Sequence, residues 1–339
     1  MTDLAEHAFE VGMPHMVTDQ LSEVELLKLV GDFQWRQIAA SLGCSTKDLK
    51  NGAGDRLYAS FINIELDFRA GGAGDILAFE EGDRVEMAGS TRFYGRQFVE
   101  GWTVLDRGSL DSAAVQRVAS RADLDGVGRP WIYMTNAFVG RVSGNLRLKT
   151  YAPEGVDGGR VRTTDDKPAG ITAHEDALQR GLTLPDGARP LPCTDDGPVV
   201  YQVLPESDLN GAGLLYFARY VAMMNYAERV QGLDRMAPPL SSQLTKHLAT
   251  RRRSLFYFAN APANERVRVF CTPAFSPADG PGADPLHTDF GSLFYRHELY
   301  RDSDGALMAT SLVEKALRVP NKMKGALAEV RRLLARLGC

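Results

Sequence analysis

The sequence has few of the residue spacings by which active sites usually show themselves. Its four cysteines, Cys44, Cys193, Cys271 and Cys339, stand far apart and form no CxxC or Cys/His cluster. That argues against a structural zinc site and fits a reduced, cytoplasmic protein. The six histidines, at positions 7, 15, 174, 247, 287 and 297, show no HExxH or comparable ligand spacing. A glycine-rich phosphate loop and a GxSxG elbow are also missing, so no metal and no resident cofactor is expected. The formal charge of -4 leaves no basic footprint for nucleic acid. No apolar run reaches the ~20 residues of a membrane-spanning helix, so no membrane contact is expected. The start, MTDLAEHAFEVGMPHM, has neither the basic nor the apolar region of a secretory signal.

What is present is an ordinary globular balance: 339 residues, 44% hydrophobic, enough for a sizeable core and two domains. The composition breaks once. Residues 151–199 are dense in Gly, Pro and Asp, and only AHEDALQRG within them suggests a short helix. They predict a linker between a first domain, 1–150, and a second, 200–339.

The two halves read as variants of one plan. LSEVELLKLVGDFQWRQIAASLG (21–43) has apolar residues at helical spacing, Ser22 to cap it and Gly43 to end it. DLNGAGLLYFARYVAMMNYAERVQG (208–232) predicts the matching helix. Strand-like runs follow each: 56–68 against 254–270, and later 130–142 against 307–319. A Gly-Ser followed by Phe-Tyr recurs in 89–101 and 291–305, making Ser90 and Ser292 equivalents in the repeat. The tail from Asn321 reads as a terminal helix. One long helix against an antiparallel sheet, repeated once, is an α+β plan in which two half-covered sheets must pair. That plan is the double hot dog, two sheets each wrapped around a central helix and joined as a pseudo-dimer.

The segments MPHM, LSEVELLKLVGDFQWRQIA and GDRLYASF resemble the opening of a double hot-dog family, the bifunctional acyltransferase/decarboxylases of leinamycin-type biosynthesis. The DLNGAGLLYF helix start resembles hot-dog thioesterases and acyl-CoA proteins more broadly. The resemblance implies conversion of methylmalonyl-CoA, as substrate, into propionyl-acyl carrier protein for polyketide assembly. It also implies an acyl-tyrosine intermediate, carried over to Tyr58. A homodimer of the whole chain is compatible with this plan.

Alternation along 56–68 puts Tyr58, Ser60, Ile62, Ile64 and Leu66 on the helix-facing side, where a core tyrosine is the plain alternative. A phenyl ester has a leaving group of thiolate-like basicity, which suits relay between two thioesters. Decarboxylation leaves an enolate, and backbone N–H groups of Gly211 and Ala212, with Asn210, at the start of helix 208–232 are candidate donors to it. Ordinary capping by Asp208 or Asn210 is the alternative. His287 is the candidate general base. His15, Ser90, Thr135 and Asn136 are candidate acyl contacts. Arg251 and Arg252, in the run Lys246, His247, Arg251–Arg253, are candidates for CoA phosphates or an acidic carrier, against a solvated helix end. A thioesterase using Asp208, a hydratase/dehydratase using His15 or His287, and a non-catalytic acyl-CoA-binding module stay open beside this reading.

Overall fold

The computed structural model describes residues 4–17, 20–69, 79–108, 110–143, 146–156, 161–195, 197–236, 239, 242–278 and 286–336. One element order occurs twice. The first copy runs β1 (Ala5–Glu10), α1 (Glu23–Ser41), β2 (Tyr58–Asp67), β3 (Arg84–Tyr94), β4 (Phe98–Arg107) and β5 (Trp131–Ser143), with β6 (Arg147–Thr150) folded back on β5. Helix α2 (Ala169–Arg180) lies between the copies. The second runs β7 (Val199–Gln202), α3 (Phe217–Val230), β8 (Leu248–Tyr257), β9 (Arg266–Pro277), β10 (His287–Arg301) and β11 (Leu307–Pro320), and α4 (Lys324–Arg336) closes the chain.

The strands follow the order β1-β3-β4-β5-β2-β8-β11-β10-β9, with β7 also on β9. Read outward from β2 and β8, the halves are copies, and the fold is an α+β double hot dog. Its two sheets are continuous, because β2 and β8 pair antiparallel from Asp67↔Arg252 to Asn63↔Phe256. This pairing brings α1 and α3 side by side over the join. Leu26, Leu27 and Val30 of α1 share one core with Val221 and Met224 of α3, Ile64 of β2 and Leu255 of β8. A side chain at Gly31 would overlap the Phe217 ring, whose Cε1 would lie 2.9 Å from its Cβ. A mid-helix glycine costs about 1 kcal/mol against alanine, and here that cost admits an aromatic ring between the helices. Among the described residues no helix is long and apolar enough to cross a membrane.

Helix α1 starts as its sequence predicts: the Ser22 hydroxyl accepts the Glu25 N–H, and Gly43 follows the helix with positive φ. Three other expectations are corrected. The second helix begins at Phe217, not at Asp208, because Asn210 turns the chain back on itself, its N–H donating to the Leu214 carbonyl and its Oδ1 accepting from Leu214 N–H. The run 254–270 is not one strand: residues 258–265 break it between β8 and β9, turning at Asn264 with φ 64°. Ser90 and Ser292 are not equivalents. Ser90 is on β3, whose counterpart is β9, whereas Ser292 is on β10, the counterpart of β4.

One ion pair crosses between the halves inside the core. Arg253 of β8 is fully buried and donates through Nε to Glu23 Oε1 at 2.5 Å and through Nη2 to Glu23 Oε2 at 3.1 Å. Removing one member strands the other in low dielectric. We expect Arg253→Met to lose about 3–5 kcal/mol in urea unfolding, and Glu23→Gln/Arg253→Met to lose clearly less than the two single changes summed. Strict additivity would show that the pair does not couple the halves.

Candidate active site

Beyond Asn63 the first residues of β2 run past the end of its pairing with β8, which turns away at Phe258 to bond Met308. The sheet is therefore open on that side of Tyr58–Ile62. A cavity of about 1030 Å³ occupies the opening. It is lined from the helix face by Gly31, Trp35, Tyr216, Phe217 and Tyr220, and from the opposite face by residues of β5, β6 and α2.

Tyr58 lines this cavity, but on the face opposite to the expected one. The β2–β5 register shifts between Phe61 and Asn63, and that bulge reverses the alternation. Ile64 and Leu66 face the helices as predicted, whereas upstream of the bulge Phe61 does, its ring 4.3 Å from that of Phe217. Tyr58 consequently points to the outer face with Ser60. There the guanidinium groups of Arg56 and Arg141 lie 5.2 and 5.6 Å from its ring centroid. Both arginines are exposed, and neither has a carboxylate partner among the described residues.

The loop before α3 reaches the same cavity through Asn210, Gly211, Ala212 and Leu214. The Ala212 N–H is occupied, donating to Asn210 Oδ1 at 2.9 Å, which removes it as a free donor. Gly211 is different: a Cβ built there meets nothing within 4 Å, so a ligand has open approach to its backbone. The N-cap of α3 is Tyr216, whose side chain makes no capping bond, and no acidic residue occupies the first turn. The helix thus presents uncapped N–H groups beside the cavity. Burial, with Asp32 and Glu25 nearby, pushes the Tyr216 phenol up to about 12. Asp208 is fully buried and held by Arg219 Nε at 2.7 Å, Leu204 N–H at 2.8 Å and Tyr201. It is a structural anchor and is not available to activate water.

Helix α2 supplies the imidazole that the cavity contains. Gly170 seats the helix against Asn63 and Thr135, where a Cβ would come within 2.6 Å of Asn63 Oδ1. The next turn brings His174 to the cavity, its Nε2 2.9 Å from the Tyr257 carbonyl and its ring 4.8 Å from that of Phe258. Burial holds its pKa below the ordinary imidazole value, against the opposing pull of the Tyr257 carbonyl and Glu175.

The twofold relation places a second cavity, of about 420 Å³, at the other end of the β2–β8 pairing. It is lined by the start of α1, by Asn225, Glu228 and Arg229 of α3, and by Leu248 and Thr250 of β8. Counted from the caps Ser22 and Tyr216, Gly31 matches Asn225, Gln34 matches Glu228, and Trp35 matches Arg229. Charge fills this end. Glu228 is bonded by Lys315 and lies 3.9 Å from Arg253, and His297 Nε2 stands 3.3 Å from its Oε1 without hydrogen-bond alignment. Burial alone would raise the Glu228 carboxyl, but Lys315, His297 and Arg253 outweigh it and hold it below the usual range.

The remaining expected contacts are not gathered at either cavity. His15 accepts the Gly12 N–H through Nδ1 at 2.9 Å and packs on Phe9. Ser90 accepts from Arg162. Asn136 is buried behind β2, between Gln34 Nε2 and the Ala59 carbonyl, and Thr135 lies under Gly170. His287 begins β10 opposite Pro320 and lines neither cavity. Arg251 is engaged by Asp289 and Ser292, and Arg252 lies 4.0 Å from Asp67. Both stand in β8 and not at a helix end, and Arg252 is exposed. The sequence reading missed Arg56, Arg141, Tyr257 and above all His174. AHEDALQRG was the available signal, a helix pattern inside an apparent linker.

Compared with solved structures, the chain is similar to an acyl-ACP thioesterase from Bacteroides thetaiotaomicron, at 12% identity and a TM-score of 0.51 over 92% of this chain and 98% of that one. It is likewise similar to a 12:0-ACP thioesterase from Umbellularia californica, at 13% identity and a TM-score of 0.52 over 94% and 95%. These likenesses show the fold. No protein-family model matches the sequence, and no curated protein matches it.

The buried imidazole of His297 and the half-buried one of His174 predict a pH dependence of the fold. Burial lowers the pKa of His297 and of His174, so both stay neutral where the unfolded chain, with an imidazole pKa near ~6.5, has begun to take up protons. Their contribution is complete above that value and is lost as pH falls through the lowered folded-state pKa. We expect the urea midpoint to fall between about pH 7 and about pH 5, and His297→Gln to flatten that slope. An unchanged slope would assign the dependence elsewhere.

Proposed function

We propose that the protein takes methylmalonyl-CoA, forms an acyl ester on Tyr58, removes the substrate carboxylate and delivers propionyl to the thiol of an acyl carrier protein. The observation that carries this reading is the large cavity at the opening in the sheet. Tyr58, the open backbone of Gly211 and the uncapped start of α3 all border it.

In acyl transfer, the Tyr58 oxygen attacks the thioester carbonyl, the C–S bond breaks and CoA leaves as a thiol carrying the phenolic proton. In decarboxylation, the C–C bond to the carboxylate breaks, carbon dioxide leaves and the electron pair passes to the carbonyl oxygen as an enolate. A proton then adds at carbon. Gly211 and the first N–H groups of α3 are the donors this reading assigns to the enolate oxygen, each worth a few kcal/mol in a site closed to water. Arg56 and Arg141 would face the anionic substrate at the cavity mouth. Delivery to the carrier thiol regenerates the tyrosine.

Plain thioester hydrolysis is the second reading, favoured by the activity of the similar solved structures. With Asp208 sequestered, it would need water activated by another group.

The test is incubation with methylmalonyl-CoA followed by peptide mass spectrometry. We expect a propionyl or methylmalonyl ester on Tyr58 and propionyl on added carrier protein, with Tyr58→Phe slowed by at least about a thousandfold. Free acid released without carrier, unaffected by Tyr58→Phe, would replace this reading with hydrolysis.

A further inference from the structure

We infer that His174 is the proton-transfer residue of this site, supplied by the segment that composition marks as a linker. The inference rests on the acyl-Tyr58 reading and deepens it. That chemistry moves two protons: one leaves the Tyr58 hydroxyl as the ester forms, and one must reach the carbon from which carbon dioxide has departed. A phenol at neutral pH needs a base, and an enolate in a closed site needs an acid.

Among the described residues lining the cavity, His174 is the one imidazole. Three observations suit it to the task. Its Nε2 lies 2.9 Å from the Tyr257 carbonyl, which has only lone pairs to offer, so that nitrogen carries the hydrogen and Nδ1 carries the lone pair. No described residue bonds Nδ1. The ring is fixed against Phe258, and its helix is locked to the sheet at Gly170, whose N–H donates to Tyr133 at 3.3 Å, and at the buried Ile171 and Ala177. The ionisable groups that share its cavity are Arg56, Tyr58 and Glu175 on the α2 side, and Asp32, Tyr216, Tyr220 and Tyr257 on the helix side. Asp32 is exposed and paired with Arg36 at 2.6 Å. Tyr220 and Tyr257 are held as phenols by burial, with hydroxyls donating to the Ala259 and Phe217 carbonyls.

The proton balance is then complete. Neutral His174 takes the Tyr58 proton at Nδ1 as the phenolic oxygen bonds to carbonyl carbon, and returns it to the departing CoA sulfur. After loss of carbon dioxide, His174, protonated from water, gives a proton to the enolate carbon and is neutral again.

The experiment compares wild type, His174→Asn and His174→Ala in propionyl transfer from methylmalonyl-CoA to carrier protein, across pH. His174→Asn replaces the imidazole with a neutral amide that does not titrate, and circular dichroism verifies that each variant is folded. We expect wild-type kcat/KM to decline on the acid side as the imidazole is protonated. Both variants should lose that limb and about 10²–10⁴-fold in rate, and added imidazole should recover His174→Ala at least about tenfold. A His174→Asn rate within about threefold of wild type, with the acid limb intact, overturns the inference while leaving acyl-Tyr58 in place. A wild-type protein that forms no ester on Tyr58 overturns the proposed function itself, and the role of His174 with it.

Discussion

The antiparallel pairing of β2 with β8 joins two sheets that would each otherwise end in an edge strand with unpaired backbone groups. Only five residues of each strand take part. Because the contact is that short, both strands overrun it at their outer ends, and the continuous sheet is breached on either side of its centre. The same contact sets α1 beside α3, so the start of each helix meets the breach made by the other half. Cavity, helix terminus and strand end thus come together from one hydrogen-bonded ladder. None of the three could be placed by a single half.

The repeat is what the sequence displays most clearly, and the physics explains why. Periodicity at helix spacing records burial, and burial is repeated in both halves. Ser22 and Gly43 are legible for the same reason, being local solutions to a local end. Tyr58 shows the limit. Its segment alternates cleanly on paper, yet one extra residue near Ile62 turns Tyr58 to the opposite face while leaving Ile64 and Leu66 where alternation puts them. A bulge is decided by the partner strand, so no pattern within 56–68 could disclose it. The glycine-bearing turn at 208–213 misleads in another way. Asn210 uses its side chain to build a turn of its own, which mimics a helix cap several residues ahead of the helix. His174 was hidden by composition: glycine, proline and aspartate around it dilute the helical pattern that positions it.

The two cavities show how one geometry can be spent in opposite ways. At the larger, the helix begins without a side-chain cap and aromatic rings surround the opening, leaving N–H dipoles to act on whatever enters. At the smaller, Ser22 caps the helix, Glu23 follows it and is bonded by Arg253, and Lys315 bonds Glu228. Removing those charges from water is costly, and their mutual attraction offsets that cost only while all of them are present. The second end is therefore committed to holding the halves together, and the first is left open.

Gly31 and Asn225 occupy the same place in their helices, yet one makes room for the Phe217 ring and the other accepts from Lys315 Nζ at 3.1 Å. In a dimer of identical subunits that could not happen, since each mutation would strike both copies at once. Fusion of the copies into one chain makes every position independently heritable. A substitution that would ruin one end can then be tried at the other, and selection can improve a site without carrying its twin along.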